Sequence, residues 1–221
     1  MFRIFRILIA VCACAAACPA FSQAISAINA LVEVVDSNRQ PGPSTISDVD
    51  VTVRHPLIAG SIFGTPNTGD VLVEQVRVGV SIDLNVVRMR NTGARLASPV
   101  EPQVTRAGLV VEPGNARFAR FGTFVFNSQT NRVIGFGSFI DRTTRTALAL
   151  VYFDEPCRIS GLLRVGTLEA EHNISVRSSG LYWIRIKELG NNRYELENVE
   201  ITGSVILGIE PLPQRKPGQG A

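Results

Sequence analysis

The chain has 221 residues, 45% of them hydrophobic and 19% charged, with a mean hydropathy of +0.18. That apolar share excludes intrinsic disorder and collagen-like repeats, and the length suits one domain or two small ones. The formal charge of +3 comes from 20 Arg, 2 Lys and 19 acidic residues. Removing Arg3 and Arg6 with the leader described next takes it to +1, too little to mark a nucleic-acid or anionic-membrane partner.

Residues 1–22 read as a secretory signal peptide. Arg3 and Arg6 supply the positive start, Ile7 to Ala17 the apolar stretch, and Ala20 and Ser22 the small residues before Gln23. The apolar run is too short to span a membrane as a helix. A rival reading makes Cys18 the acylated end of an outer-membrane lipoprotein. Ala15, Ala16 and Ala17 suit that processing, but the Leu-like residue three before the cysteine is missing. Cys12, Cys14 and Cys18 leave with the leader, so Cys157 stands alone in the mature chain and has no intrachain disulfide partner. The chain is expected to be periplasmic or secreted in a bacterial envelope, with no transmembrane span after processing.

Gln23 to Val35 is apolar and fits either a short helix or a strand. Asp36 to Ser47 carries Ser, Asn, Pro and Gly and reads as a loop, which makes 23–47 an N-terminal segment. From Asp48 the apolar period is two: Val49, Val51 and Val53 alternate with polar neighbours. Between Val71 and Val86 the apolar parity switches near Glu74 to Val76, which predicts a bulge or bend in a long strand. Gly93 to Gln103 reads as a second loop.

Arg117 to Asn127 and Arg132 to Asp141 flank the polar turn Ser128 to Asn131 and predict a hairpin. Thr144 to Asp154 is apolar on both faces, so it is expected to lie centrally and be covered on both sides. Strands follow near Arg158 to Val165 and Leu168 to Val176. Leu181 to Glu188 and Arg193 to Val199 flank Gly190-Asn191-Asn192, a strong hairpin signal. Glu200 to Ile209 is read as the last strand, and 211–221, rich in Pro and Gly, as a disordered tail. Seven of the eight Phe residues beyond the leader fall between Phe118 and Phe153, which places the main core there.

No window beyond residue 36 holds a helical period for three turns, and turn signals recur along the chain. The expected fold is therefore all-β: a single antiparallel β-sandwich over 48–210, with barrel-like closure as a variant. An outer-membrane barrel fits less well. Tyr and Trp are few, several strands are apolar on both faces, and the chain ends in a Pro/Gly tail.

The candidate chemistry is thin. Cys157, with His172 as base and Asp154 behind it, has the residue types of a thiol nucleophile but no motif around it, and a buried structural thiol is the plainer reading. Glu169, Glu171 and His172 have ligand chemistry, yet strand alternation puts the glutamates on one face and the histidine on the other. His55 is the other histidine. Gly60 to Pro66 and Gly135 to Ser138 match neither a phosphate loop nor a nucleophile elbow, and read as close strand packing. Trp183, with Arg185 and Lys187 on the same strand face, is the candidate ligand groove, suited to a glycan or peptide.

Val110-Val111-Glu112-Pro113-Gly114 with Arg117 and Arg120 resembles a stretch of the immunoglobulin-like chaperones of pilus assembly. Tyr152 to Asp154 with Ile159 to Gly161 resembles a strand–turn–strand of exported β-domains. Neither likeness extends over the chain or assigns a role to a residue. The expected function is a non-catalytic envelope-associated binding or structural module with an envelope protein or glycan as partner and no cofactor. A pilus or adhesin subunit, or its chaperone, is the alternative, and a secreted hydrolase the third reading.

Overall fold

In the computed structural model of the chain, the described residues are 23–42, 48–53, 71–99, 105, 107–121, 124–127 and 133–212. The expected leader, His55, Gly60 to Pro66, the turn at Ser128 to Asn131 and most of the expected tail lie outside them.

The strands in chain order are β1 (Ile28–Val34), β2 (Asp48–Val53), β3 (Val71–Arg77), β4 (Ser81–Leu84), β5 (Ser98–Pro99), β6 (Leu109–Glu112), β7 (Arg117–Phe121), β8 (Phe124–Asn127), β9 (Val133–Ile140) and β10 (Ala147–Phe153). They continue as β11 (Cys157–Val165), β12 (Leu168–Val176), β13 (Gly180–Gly190), β14 (Arg193–Val199) and β15 (Val205–Pro211). One helix, α1 (Val86–Leu96), separates β4 from β5.

The all-β expectation holds, and its finer form is corrected. All the strands belong to one mixed sheet, with the path β3-β2-β8-β9-β10-β13-β14-β12-β11-β6 and the rest branching from it. Among the described residues two pairings are parallel, β1 with β15 and β12 with β14, so the sheet they form is not purely antiparallel, and it does not close into a barrel. The parallel β1–β15 pair joins the beginning and end of the described chain, a contact no local pattern encodes.

The doubly apolar strand is central, as its composition requires. One edge of β10 pairs with β13, the other with β9 and β7. Its two faces feed two cores. Leu148, Leu150 and Tyr152 join Leu181 and Trp183 of β13, Met89 of α1, Phe124, Phe126 and Phe139 in one. Ala149, Val151 and Phe153 join Tyr182, Ile184, Cys157, Ile159, Ile174 and Val176 in the other. Tyr, Phe and Trp rings meet edge-on in both, Phe139–Trp183 at 4.8 Å and Phe153–Tyr182 at 5.8 Å between centroids.

Local signals fare unevenly. The Glu74 to Val76 parity switch is a bulge: Val49 pairs with Val76 but Val51 with Val73, leaving an extra residue in β3. The strand then ends at Arg77 in a turn with Gly79 at φ +83°. Beyond β4 comes the clearest correction, because Val86 to Leu96 is helical, where the expected strand ran to Val86, the expected loop began at Gly93 and no helix was expected. Asn85 caps it, its Oδ1 accepting from the Arg88 N–H at 2.9 Å. Only Val86, Met89, Thr92 and Gly93 are buried, so the apolar stripe is too narrow to register as a period.

The Arg117 to Asn127 strand is divided: β7 pairs with β10, and β8 pairs with β9 in the expected hairpin. The β13–β14 hairpin turns through Asn191 and Asn192, at φ +53° and +59°, the left-handed values of a two-residue turn. The N-terminal segment forms strand β1 instead of a helix. The last strand starts at Val205, and Pro211, assigned to the tail, ends it.

Candidate functional site

β11 and β12 position the thiol and histidine. Cys157 opens β11 with its side chain 5% exposed, on the same parity as buried Ile159. Burial, then the charges of Asp154 and Glu155, push the thiol pKa up to about 12, so it is protonated at neutral pH. Cys157 pairs with Val176, whereas His172 pairs with Gly161, four residues along the strand. At about 3.3 Å per residue the two are roughly 13 Å apart, too far for a proton transfer. His172 is itself buried, with Nδ1 2.9 Å from Ala170 O, and burial lowers its pKa. Asp154 instead fixes the turn before β11, its Oδ1 accepting from the Arg117 N–H at 2.8 Å. The structure does not bring the three together.

Alternation on β12 places Ala170, His172, Ile174 and Val176 inward, with Glu169 half-buried and Glu171 outward. Glu169 pairs with Arg164 at 3.1 Å and Arg193 at 3.6 Å. Gly135 and Gly137 serve close strand contact. A Cβ on Gly137 would collide with the Phe126 ring and Gly208 O, and one on Gly135 would meet Glu210 O at 2.7 Å.

The three groove residues share a face of β13 but have different surroundings. Trp183 is 4% exposed in the first core. Arg185 bridges Asp141 at 3.1 Å and Glu197 at 3.3 Å, and Lys187 reaches Glu195 at 3.2 Å. Burial alone would raise the Asp141 pKa. The Thr143 and Thr144 N–H groups and Arg185 outweigh that and hold it below the usual carboxylate value. Both cations of the groove are thus engaged in the sheet's own cross-strand pairs.

Trp183 instead borders a cavity of about 170 Å³, which the sequence reading did not anticipate. Residues 23–29 line it, together with Val199, Glu200, Ile201 and Val205. The N-terminal segment is fastened there. Ile25 N–H donates to Leu181 O at 2.8 Å, Arg90 Nη2 donates to Ile25 O at 3.3 Å, and Ala24 packs where a Cβ on Gly180 would sit. Glu200 is the one charged lining residue, and it has no ion-pair partner among the described residues. Only the aromatic Trp183 was a signal for this site in sequence; its companions are about 155 residues away along the chain on one side.

Among the described residues no group of His, Cys, Asp and Glu is placed to hold a metal ion, and no helix is long and apolar enough to cross a membrane. No family model, curated protein or solved structure matches the chain.

Proposed function

We propose that this is an exported, envelope-associated protein that works as a binding or structural module and not as a catalyst. The observation that carries the non-catalytic part is the distance between Cys157 and His172, each of which serves a packed core. The cavity beside Trp183 supports binding, because it gathers an aromatic ring, a carboxylate and amide side chains in one concave place. Export rests on the Arg3/Arg6 start, the apolar Ile7 to Ala17 run and the small residues before Gln23.

A pilus or adhesin subunit, or its chaperone, is the second reading. It draws on β4 and β6, each hydrogen-bonded to a single strand among the described residues, since an open edge accepts an added strand. Expression with the native leader, followed by cell fractionation and intact-mass measurement, tests the first reading. The expected product is periplasmic or secreted and begins at Gln23. An uncleaved cytosolic chain overturns it, and a mass for acylated Cys18 moves the protein to a membrane surface. Concentration-dependent oligomers on size exclusion favour the second reading.

A further inference from the structure

The face of β7 that turns to the core of Phe153 and Tyr182 carries an arginine the fold leaves unpaired. Arg120 pairs with Val151 of β10 and shares its strand face with Phe118, and both of these neighbours pack in that core. Its Nε is buried without a hydrogen-bond partner, and among the described residues no carboxylate lies within ion-pair distance of it. Other buried or half-buried arginines are engaged. Arg117, on the opposite face of β7, donates to Ala97 O at 2.9 Å, and Arg145 and Arg185 sit in ion pairs. A guanidinium taken from water without an acceptor costs free energy, and burial lowers the Arg120 pKa for that reason. A methionine could pack the same apolar stem without that cost, so packing alone gives no reason for the charge. A buried polar group that breaks the rule of internal pairing points to a partner from outside the fold.

We infer that Arg120 receives an anionic ligand, and that this ligand is a small organic monocarboxylate. The inference rests on the binding reading above and gives it a second site and a ligand class. Arg120 as a whole is only half-buried, which leaves it within reach of a small molecule. Its planar fork of N–H donors matches the two oxygens of a carboxylate. One positive charge balances one negative charge. Arg117 lies on the other face and is tied to Ala97 O, so a phosphate dianion would remain half-compensated. Val151 and the half-buried Phe118 flank the guanidinium with apolar surface, which suits the hydrocarbon part of such an acid.

Thermal melting of the purified chain tests this. Sodium propionate and sodium phosphate are titrated to about 50 mM against sodium chloride at matched ionic strength. Propionate is expected to raise the melting midpoint above the chloride control by about 2–4 °C, with saturation. Arg120→Met should lose that gain, and without ligand it should melt no lower than the parent, because it removes an unpaired charge. Arg120→Lys keeps the charge but not the fork and should bind about tenfold more weakly. The inference is overturned by the absence of a propionate-specific rise in the parent, or by the same rise in Arg120→Met. It is equally overturned if Arg120→Met melts lower or does not fold, which would give the guanidinium a structural role. Undiminished binding in Arg120→Lys, or a larger response to phosphate than to propionate, overturns the ligand class. Fractionation separates the two claims: an envelope protein silent to propionate loses only this inference, whereas a cytosolic one loses the export reading whatever the titration shows.

Discussion

Arg39 and Arg145 hold each other's backbone. Arg39 Nε donates to Arg145 O at 3.2 Å and Arg145 Nε to Arg39 O at 2.8 Å, while both residues sit at positive φ, +64° and +59°. Arg145 also reaches both carboxylate oxygens of Glu33 in β1, at 2.9 and 3.3 Å. Two turns distant in sequence are thereby locked, each supporting a backbone conformation that L-residues seldom adopt. Arg145→Met removes these donors from a mostly buried site and is expected to lower unfolding free energy by about 1–3 kcal/mol. Urea denaturation checks it; a loss well under that range would mean the turns hold without the clasp.

Gly93 lies on the buried face of α1, where an added Cβ would be 2.6 Å from Tyr152 Cβ. Helix propensity alone favours alanine over glycine by about 1 kcal/mol. Packing opposes it, because Tyr152 belongs to the central strand and cannot retreat. Gly93→Ala should therefore destabilise, by about 1–3 kcal/mol, and thermal melting decides the sign. A higher melting temperature would show that the helix shifts freely on the sheet.

Cys157 links stability to alkaline pH. The folded thiol titrates near 12 and the unfolded one near 9.0, so above pH 9.0 the unfolded chain sheds a proton that the folded chain keeps. Stability from this group is whole below pH 9.0 and is lost as pH rises toward 12, at up to about 1.4 kcal/mol per pH unit. Denaturation measured from pH 8 to 11 should show a decline that is shallower in Cys157→Ala. In the native protein at neutral pH the thiol should resist Ellman-type reagents and react at the normal rate once unfolded. Fast native labelling would contradict its burial and revive the nucleophile reading.

Asn191 occupies the first place of the β13–β14 turn at φ +53°. Asparagine tolerates that region, whereas a β-branched residue does not. Asn191→Val is expected to cost about 1–2 kcal/mol and Asn191→Gly to be nearly neutral. Equal midpoints for the two variants in urea would mean that the turn relaxes to another form.

The sequence by itself determined whatever depends on neighbours along the chain. An unbroken apolar run marked β10 as covered on both faces, Asn191-Asn192 marked a tight turn, and a parity switch located the bulge in β3. These signals are legible because strand pleat and turn dihedrals are set within a few residues. Helix α1 was hidden for the opposite reason: Val86, Val87, Thr92 and Gly93 are weak helix formers, and the segment is helical because Met89 and Gly93 fit against β10. The parallel β1–β15 pair, the distance from Cys157 to His172, and the partners of Trp183 also belong to the tertiary structure. Arg185 and Lys187 share Trp183's strand face but turn to Asp141, Glu197 and Glu195, while residues 23–29 come to Trp183 from the far end of the chain; Glu200 alone arrives by the legible hairpin, next to Val199, which pairs with Trp183. A strand's alternation fixes which face a side chain takes, but what waits on that face is decided by segments that only folding brings there.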